Sequence, residues 1–371
     1  MTTSSTAITD LAAIAANLAA VRERVGQRKV LAAVKANAYG HGAVAVAQMI
    51  EQRKAADALG VATVAEGLEL REAGVRLPIL KLSVARGSEV AEAVKAGITL
   101  PVIDATSVQE LEQAAIALGQ SINTHIKVDT GMGRIGCRPA DAPKLAELVE
   151  ESQLLRPAGI FSHMPVSDTP SQDEFSRAQI ALFARTCAEV EAITGPLLKH
   201  LSNSGAVLAH PDAWFDMVRP GIMIYGAYPD PDCPQTVALR PALEWKSQVS
   251  FVKLVHAGET VSYGRTWQAD ADTWIATVPV GYGDGYSRLG SNRSRVLIGG
   301  QPYPIAGRVC MDQFMVVLGE HTNVRVGDQV TLIGRDGEAE ITTSEVAAWM
   351  GTIPYEVTCL ITRRVLRAYR G

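Results

Sequence analysis

Along the first two thirds of the chain, hydrophobic residues fall into short continuous runs, each followed by a stretch where they recur every three or four positions. The runs at 30–34, 58–62, 79–82, 98–103, 124–128, 158–161, 200–202 and 223–225 predict buried strands, because a parallel strand covered on both faces has no polar side. Helix patterns lie between them, near 43–53, 64–73, 87–95, 106–118, 142–151, 173–194 and 204–209. An earlier helix is predicted over 9–25, with Leu11, Ile14, Leu18 and Val21 on one face and Asp10 near its start. Eight strand–helix units in ~235 residues predict an α/β fold of the (β/α)8 (TIM) barrel kind, which takes about 250 residues. An open doubly wound sheet is the alternative. In a barrel, the C-terminal strand ends carry the chemistry.

The texture changes after Tyr225. Ala227-Tyr228-Pro229-Asp230-Pro231-Asp232-Cys233-Pro234 reads as a linker. Beyond it the runs become strand-like and turn-rich, at 247–255, 274–280, 295–298, 313–318 and 329–333, with one helix pattern at 343–350. The expected organisation is a barrel domain over 1–235 and a C-terminal mostly-β domain over 236–371.

Composition narrows the classes. Hydrophobic residues at 47% against 20% charged exclude wholesale disorder. A net charge of −4, with both signs mixed along the chain, provides no basic face for nucleic acid and no polybasic membrane patch. The five cysteines, Cys137, Cys187, Cys233, Cys310 and Cys359, are scattered and odd in number, so neither a disulfide framework nor a metal site is expected. No apolar run reaches the ~18 residues of a spanning helix. With no secretory signal before Arg22, a cytoplasmic location is expected.

The stretch Ala33-Val34-Lys35-Ala36-Asn37-Ala38-Tyr39-Gly40-His41-Gly42 puts a lysine at the end of the first buried run. A lysine there must be paired or used covalently, since desolvation penalises its charge and makes its amine a nucleophile. Chemistry alone leaves a structural ion pair and a Schiff base equally open. The wording of the stretch resembles the pyridoxal-phosphate (PLP) attachment site of bacterial alanine racemases. The resemblance implies that Lys35 carries PLP as an imine and that Tyr39 lies near its phosphate.

Further segments follow in the family's order. Lys127-Val128-Asp129-Thr130-Gly131-Met132-Gly133-Arg134-Ile135-Gly136 contains G-x-G-x-x-G, but on the fifth strand and interrupted by an arginine, which argues against a dinucleotide site. It resembles the family segment whose arginine meets the substrate carboxylate and whose lysine is carbamylated; those roles fall on Arg134 and Lys127. The plainer alternative is a surface pair of Arg134 with Asp129. His163 ends the sixth run, where the family histidine stacks on the cofactor or bonds near the catalytic tyrosine. The following Met164-Pro165-Val166-Ser167-Asp168 departs from the family's small-residue run. Asn203 and Ser204, at a helix start, suit a phosphate or a plain N-cap. Gly221 and Ile222 offer backbone N–H groups beside them.

Arg219 would face the pyridine nitrogen. An arginine stays charged and leaves that nitrogen unprotonated, where most PLP enzymes set a carboxylate. Val261-Ser262-Tyr263-Gly264-Arg265-Thr266 resembles the segment bearing the second base. Racemisation needs a base on each face of the Cα: Lys35 for one, Tyr263 for the other, the tyrosine coming from the second subunit of a homodimer. Tyr263 needs a cationic neighbour to act near neutrality, and His163 is the candidate. The resemblance also puts Met311 and Asp312 by the substrate, Tyr282 in the entry channel, and Tyr355 by the cofactor.

The expected activity is therefore PLP-dependent interconversion of L- and D-alanine, with D-alanine serving cell-wall peptidoglycan. A serine or broader amino-acid racemase on the same fold is the nearest alternative. A fold-related decarboxylase would need an acid at Arg219, and a non-catalytic PLP carrier would need neither Tyr263 nor a C-terminal domain.

Overall fold

A computed structural model describes residues 5–371. The chain forms two compact units. One comprises 14–38 and 43–239; the other comprises the described N-terminal residues through Ala13, then 39–42 and 240–371.

The first unit is an eight-stranded parallel sheet rolled into a nearly closed barrel with helices between successive strands. Its strands are, in order, Lys29–Ala33, Ala58–Val61, Ile79–Lys81, Ile98–Val102, Ile122–Lys127, Leu155–Phe161, Leu198–His200 and Met217–Val218. Most are buried on both faces, which is why they read as continuous apolar runs. The eighth strand is not where the apolar run 223–225 suggested. Those residues lie in the 3₁₀ turn Ile222–Tyr225, wholly buried and closed by Gly226 in the left-handed region. A four-residue apolar run carries no period, so strand and buried turn look alike in sequence. The strand itself is only Met217–Val218. It pairs with the first strand, and the seam to the seventh is made by single bonds: Asp216 N–H to Lys199 O (3.0 Å) and Arg219 N–H to Ser202 O (2.9 Å).

The second unit is built on a sheet whose strand order is Phe251–Val255, Thr273–Val278, Phe314–Gly319, Gln301–Ala306, Arg295–Ile298, Gln329–Asp336, Leu243–Gln248, Ser5–Asp10 and Leu366–Arg370. Its core packs Trp245, Tyr286 and Phe314 ring against ring. Three of these strands escape the sequence pattern. Ser5–Asp10 pairs antiparallel with Leu243–Gln248 and parallel with Leu366–Arg370. Its residues through Ala13 therefore belong to the β unit, and the helix expected from residue 9 starts at Leu11. Gln301–Ala306 carries two prolines, which weaken any strand signal. The run 247–255 is two strands, broken between Gln248 and Phe251.

Among the described residues, no helix is long and apolar enough to cross a membrane, and no cluster of three metal-ligating side chains occurs.

Candidate active site

In the barrel unit, Lys35 follows the first strand directly. The next four residues, Ala36, Asn37, Ala38 and Tyr39, all have φ between 52° and 54°. A left-handed turn of non-glycine residues costs roughly 1–2 kcal/mol per residue and persists only when its surroundings impose it. Here Ala36 N–H donates to Glu66 Oε1 (2.7 Å), Ala43 N–H to Asn37 Oδ1 (2.8 Å), and Ala38 N–H to Val34 O (2.8 Å). Tyr225 Oη donates to Ala33 O at 2.8 Å.

Arg219 is the electrostatic centre of this end of the barrel. It is buried, and its two terminal nitrogens are shared among five acceptors. Nη1 donates to His200 O (2.8 Å) and His200 Nδ1 (3.1 Å). Nη2 donates to Ser162 O (2.6 Å) and Leu201 O (3.0 Å), and lies 3.4 Å from His163 Nδ1. Burial draws the guanidinium down to about 9, which still leaves it charged at neutrality. Because Arg219 only donates, His200 Nδ1 must accept, and the His200 proton sits on Nε2. That nitrogen is 2.9 Å from His125 Nδ1, so the His125 proton sits on its own Nε2. The tautomers are thus set in series from one cation. Phe161 stacks on His200, with ring centroids 4.8 Å apart.

Lys127 is buried below the same group. Its Nζ donates to Leu82 O at 2.7 Å and lies 4.5 Å from the Phe161 ring centre. Burial, then the charges of Arg219, Arg134 and Lys35, pull its amine down to about 7. A sizeable neutral fraction is therefore present at physiological pH. His163 is pushed well below its usual range by burial and by Arg219, Arg134, Lys127 and Lys35. It is neutral, and so does not supply the cationic charge expected of it beside Tyr263. Its carbonyl accepts from Gln179 Nε2 at 2.8 Å.

The loop after the fifth strand is shaped by Asp129, whose carboxylate accepts the N–H groups of Gly131 (3.0 Å), Gly133 (3.1 Å) and Arg134 (3.0 Å). Its acceptors go to backbone, and no ion pair joins it to the Arg134 guanidinium among the described residues. A Cβ at Gly136 would meet Asp129 N at 2.6 Å, so the turn requires glycine. Ser204 Oγ accepts Gly221 N–H at 2.8 Å, bringing together two of the expected phosphate contacts, with Ile222 next in chain. Asn203 caps the helix Ser204–Ala209 and accepts the Ser167 hydroxyl (2.6 Å) while donating to Met164 O (3.0 Å). Its side chain thus fixes the loop 164–168. Burial, then Asp230, raises the carboxyl of Asp168 in that loop.

In the β unit, three sequence-predicted segments meet, those of Tyr263, Tyr282 and Met311-Asp312. Ser262 (φ 71°) donates to Arg308 O at 2.6 Å and stands 3.4 Å from Cys310 Sγ, placing Tyr263 on a short 3₁₀ turn. Tyr282 and Gly283 donate to the carbonyls of Cys310 (3.0 Å) and Met311 (2.8 Å). Arg364 joins Asp312 (2.8 Å) to Asp284 (3.3 Å). The cluster leaves large side chains in the open: Tyr263 is 72% exposed, Met311 52% and Tyr282 42%. Tyr39 and Tyr355 lie ring to ring at 5.9 Å, and burial, then Cys359, raises the Tyr39 hydroxyl.

Glu66, His125, His200, Leu82 and Arg364 were not visible in the sequence as site residues. The only signal was a lone histidine in each of two barrel strands.

Comparison with known proteins covers nearly the whole chain. The family described as alanine racemase, N-terminal domain, matches residues 9–229, and its C-terminal domain matches 242–369. An alanine racemase of Cutibacterium acnes is 50% identical over 99% of this chain and 98% of its own. One from Symbiobacterium thermophilum is 42% identical over 98% and 96%. The crystal structure of alanine racemase from D-cycloserine-producing Streptomyces lavendulae superposes with a TM-score of 0.94 at 37% identity, covering 100% of this chain and 98% of that one.

Proposed function

The chain belongs to the alanine racemase family, and from that premise we propose that it interconverts L- and D-alanine with PLP, using Lys35 and Tyr263 as bases on opposite faces of the substrate. PLP, when bound, supplies the electron-withdrawing ring that makes the substrate Cα–H acidic. The rest falls to the chain's own groups.

The residues fit that cofactor. Arg219 has both Nη atoms committed, and its Nε–H has no partner among the described residues. It is a fixed cationic donor for a ring nitrogen. Such a donor keeps that nitrogen unprotonated, which restrains side reactions that need a strong electron sink. Ser204, Gly221 and Ile222 form the phosphate cradle, and the family resemblance assigns Tyr39 and Tyr355 to the cofactor as well. Asn203 acts by holding the loop that flanks the cradle. His163 packs by Arg219 as a neutral ring.

Lys35 is the anchor and the first base, held by a turn that its neighbours force into the left-handed region. Tyr263 is the second. Its exposure, with that of Met311 and Tyr282, supports a homodimer in which these residues and Asp312 complete the site of the other copy. Arg134 binds the substrate carboxylate through its guanidinium fork. Lys127, with an amine near 7, is suited to react with CO2, and the resulting carbamate would orient Arg134. D-alanine made here would enter peptidoglycan synthesis.

The buried, five-fold-anchored Arg219 carries this reading. The test is loss of optical rotation of L-alanine by the purified, PLP-loaded protein, with L-serine in parallel. Faster racemisation of alanine supports it. Equal rates would shift the assignment to a broader racemase, and no racemisation by a visibly yellow protein would leave a PLP carrier.

A further inference from the structure

The opposite mouth of the barrel, at the N-terminal strand ends, holds a cavity of about 470 Å³ that the proposed reaction does not use. That is the size of a small-molecule site. Its wall is apolar, formed by Leu31, Leu80, Leu198 and Met217. Two features break this surface. At the rim stand Lys29 and Lys54, neither with an ion-pair or hydrogen-bond partner for its ammonium among the described residues. The rim carboxylates are already engaged. Asp57 Oδ2 accepts from Arg22 (3.1 Å) and Val30 N–H (2.7 Å), and Glu51 Oε1 from the N–H groups of Arg76 (2.7 Å) and Leu77 (2.8 Å). Only Asp57 is offset by a further cation, Arg22, so the mouth carries a single net positive charge, with the Lys29 and Lys54 ammoniums as its unengaged donors among the described residues.

The second feature is His125, 8% exposed, on the cavity wall. A bulge in the sixth strand sets it opposite Gly159, where a Cβ would meet the ring at 2.7 Å. The room for the imidazole is thus built into the backbone. Its Nδ1 is taken by His200, and the Arg219–His200–His125 series fixes a proton on Nε2. That N–H has no partner among the described residues. The N–H opens on the cavity, so an occupant with an acceptor there replaces the water it would otherwise bond, whereas a plain hydrocarbon would strand it.

We propose that this mouth binds an apolar-bodied carboxylate with a hydrogen-bond acceptor at its far end, the carboxylate meeting Lys29 and Lys54 and the acceptor meeting His125 Nε2–H. Burial and the Arg219 charge hold His125 neutral, drawn down to about 4, so the ring donates without competing for the anion. An acceptor at Nε2 selects the tautomer that Arg219 already requires, and the site is thereby joined to the far end of the barrel through two ring contacts.

The test is calorimetric titration of the holoprotein with ω-hydroxy fatty acids from ω-hydroxyhexanoate to ω-hydroxydecanoate. The parent fatty acids and the matching α,ω-diols run as controls. Saturable binding is expected for at least one chain length, weakened on the order of tenfold by Lys29→Ala with Lys54→Ala, and by a similar factor on removing either end group. The His125 Nε2–H resonance should shift on binding. Both lysines are at the surface rim, so their variants retain the fold. A second variant, Leu198→Trp, should fill the cavity and abolish binding. No saturable binding up to about 10 mM, or an affinity indifferent to the lysines and to Leu198→Trp, overturns the proposal.

Discussion

Arg219 Nη1 donates to His200 Nδ1 across 3.1 Å, deep in the barrel where both side chains are buried. The contact has a direction, because an arginine cannot accept. It keeps His200 neutral: burial, Arg219 and His125 all push its pKa well down. One fixed cation thereby determines the proton positions of two rings.

Arg219→Glu reverses this order. A carboxylate would face the His200 lone pair and three carbonyl oxygens that all expect a donor. Racemisation should fall by roughly 100-fold or more, the scale of a lost positioned catalytic group. The spectrum of bound PLP should change with it. An unchanged rate in a folded variant would count against Arg219 facing the cofactor.

Lys127 titrates where its modification is sensitive to conditions. Its folded pKa, about 7, lies below its usual 10.5. Between these values the unfolded chain holds more protons than the folded one, so this group's contribution to stability improves as pH rises from 7 toward 10.5. In CO2-free buffer, wild type should therefore gain stability over Lys127→Met across that window, read from urea midpoints. Adding ¹³C-bicarbonate should produce a carbamate resonance that Lys127→Met lacks. A flat difference and no resonance would leave Lys127 as a structural amine.

A shared site predicts complementation. Lys35→Ala and Tyr263→Phe should each be nearly inactive. After subunit exchange, half the dimers are mixed and each has one intact site, so about a quarter of wild-type activity should return. Proven exchange without recovery would place both bases in one subunit.

Much of this was legible in the chain. Barrel strands one to six and their helices follow from largely apolar runs, because parallel strands buried on both faces carry few polar positions; the run at 200–202 meets the seventh strand, Leu198–His200, only at its last residue. Lys35, Arg134, Ser204, Arg219 and Tyr263 stand in contiguous motifs whose wording carries them. What escaped depends on relations across the fold. His125 and His200 are lone histidines on different strands, and only the sheet makes them neighbours. Ser5–Asp10 is small and polar in sequence, and becomes a strand because Leu243–Gln248 and Leu366–Arg370 offer it partners on both edges. Asp129 looked like a partner for Arg134, but a carboxylate followed by three glycine-rich positions finds backbone N–H groups closer at hand.

Glu66 tests whether the left-handed turn matters as geometry. One carboxylate oxygen accepts Ala36 N–H at 2.7 Å. The other accepts Ala62 N–H (2.7 Å) and Thr63 N–H (3.2 Å), closing the capping box of the helix Val64–Glu72. An amide has a single acceptor oxygen, so Glu66→Gln can satisfy the cap or the turn but not both. If the cap keeps it, stability should drop by less than about 1 kcal/mol, while the turn holding Lys35 loses its anchor and kcat falls on the order of tenfold with little change in KM. Glu66→Ala removes both contacts and should cost about 1–2 kcal/mol with a comparable loss of rate. Equal activity in all three proteins would mean that the turn is held by Asn37 and Val34 alone, and that Glu66 serves only its helix.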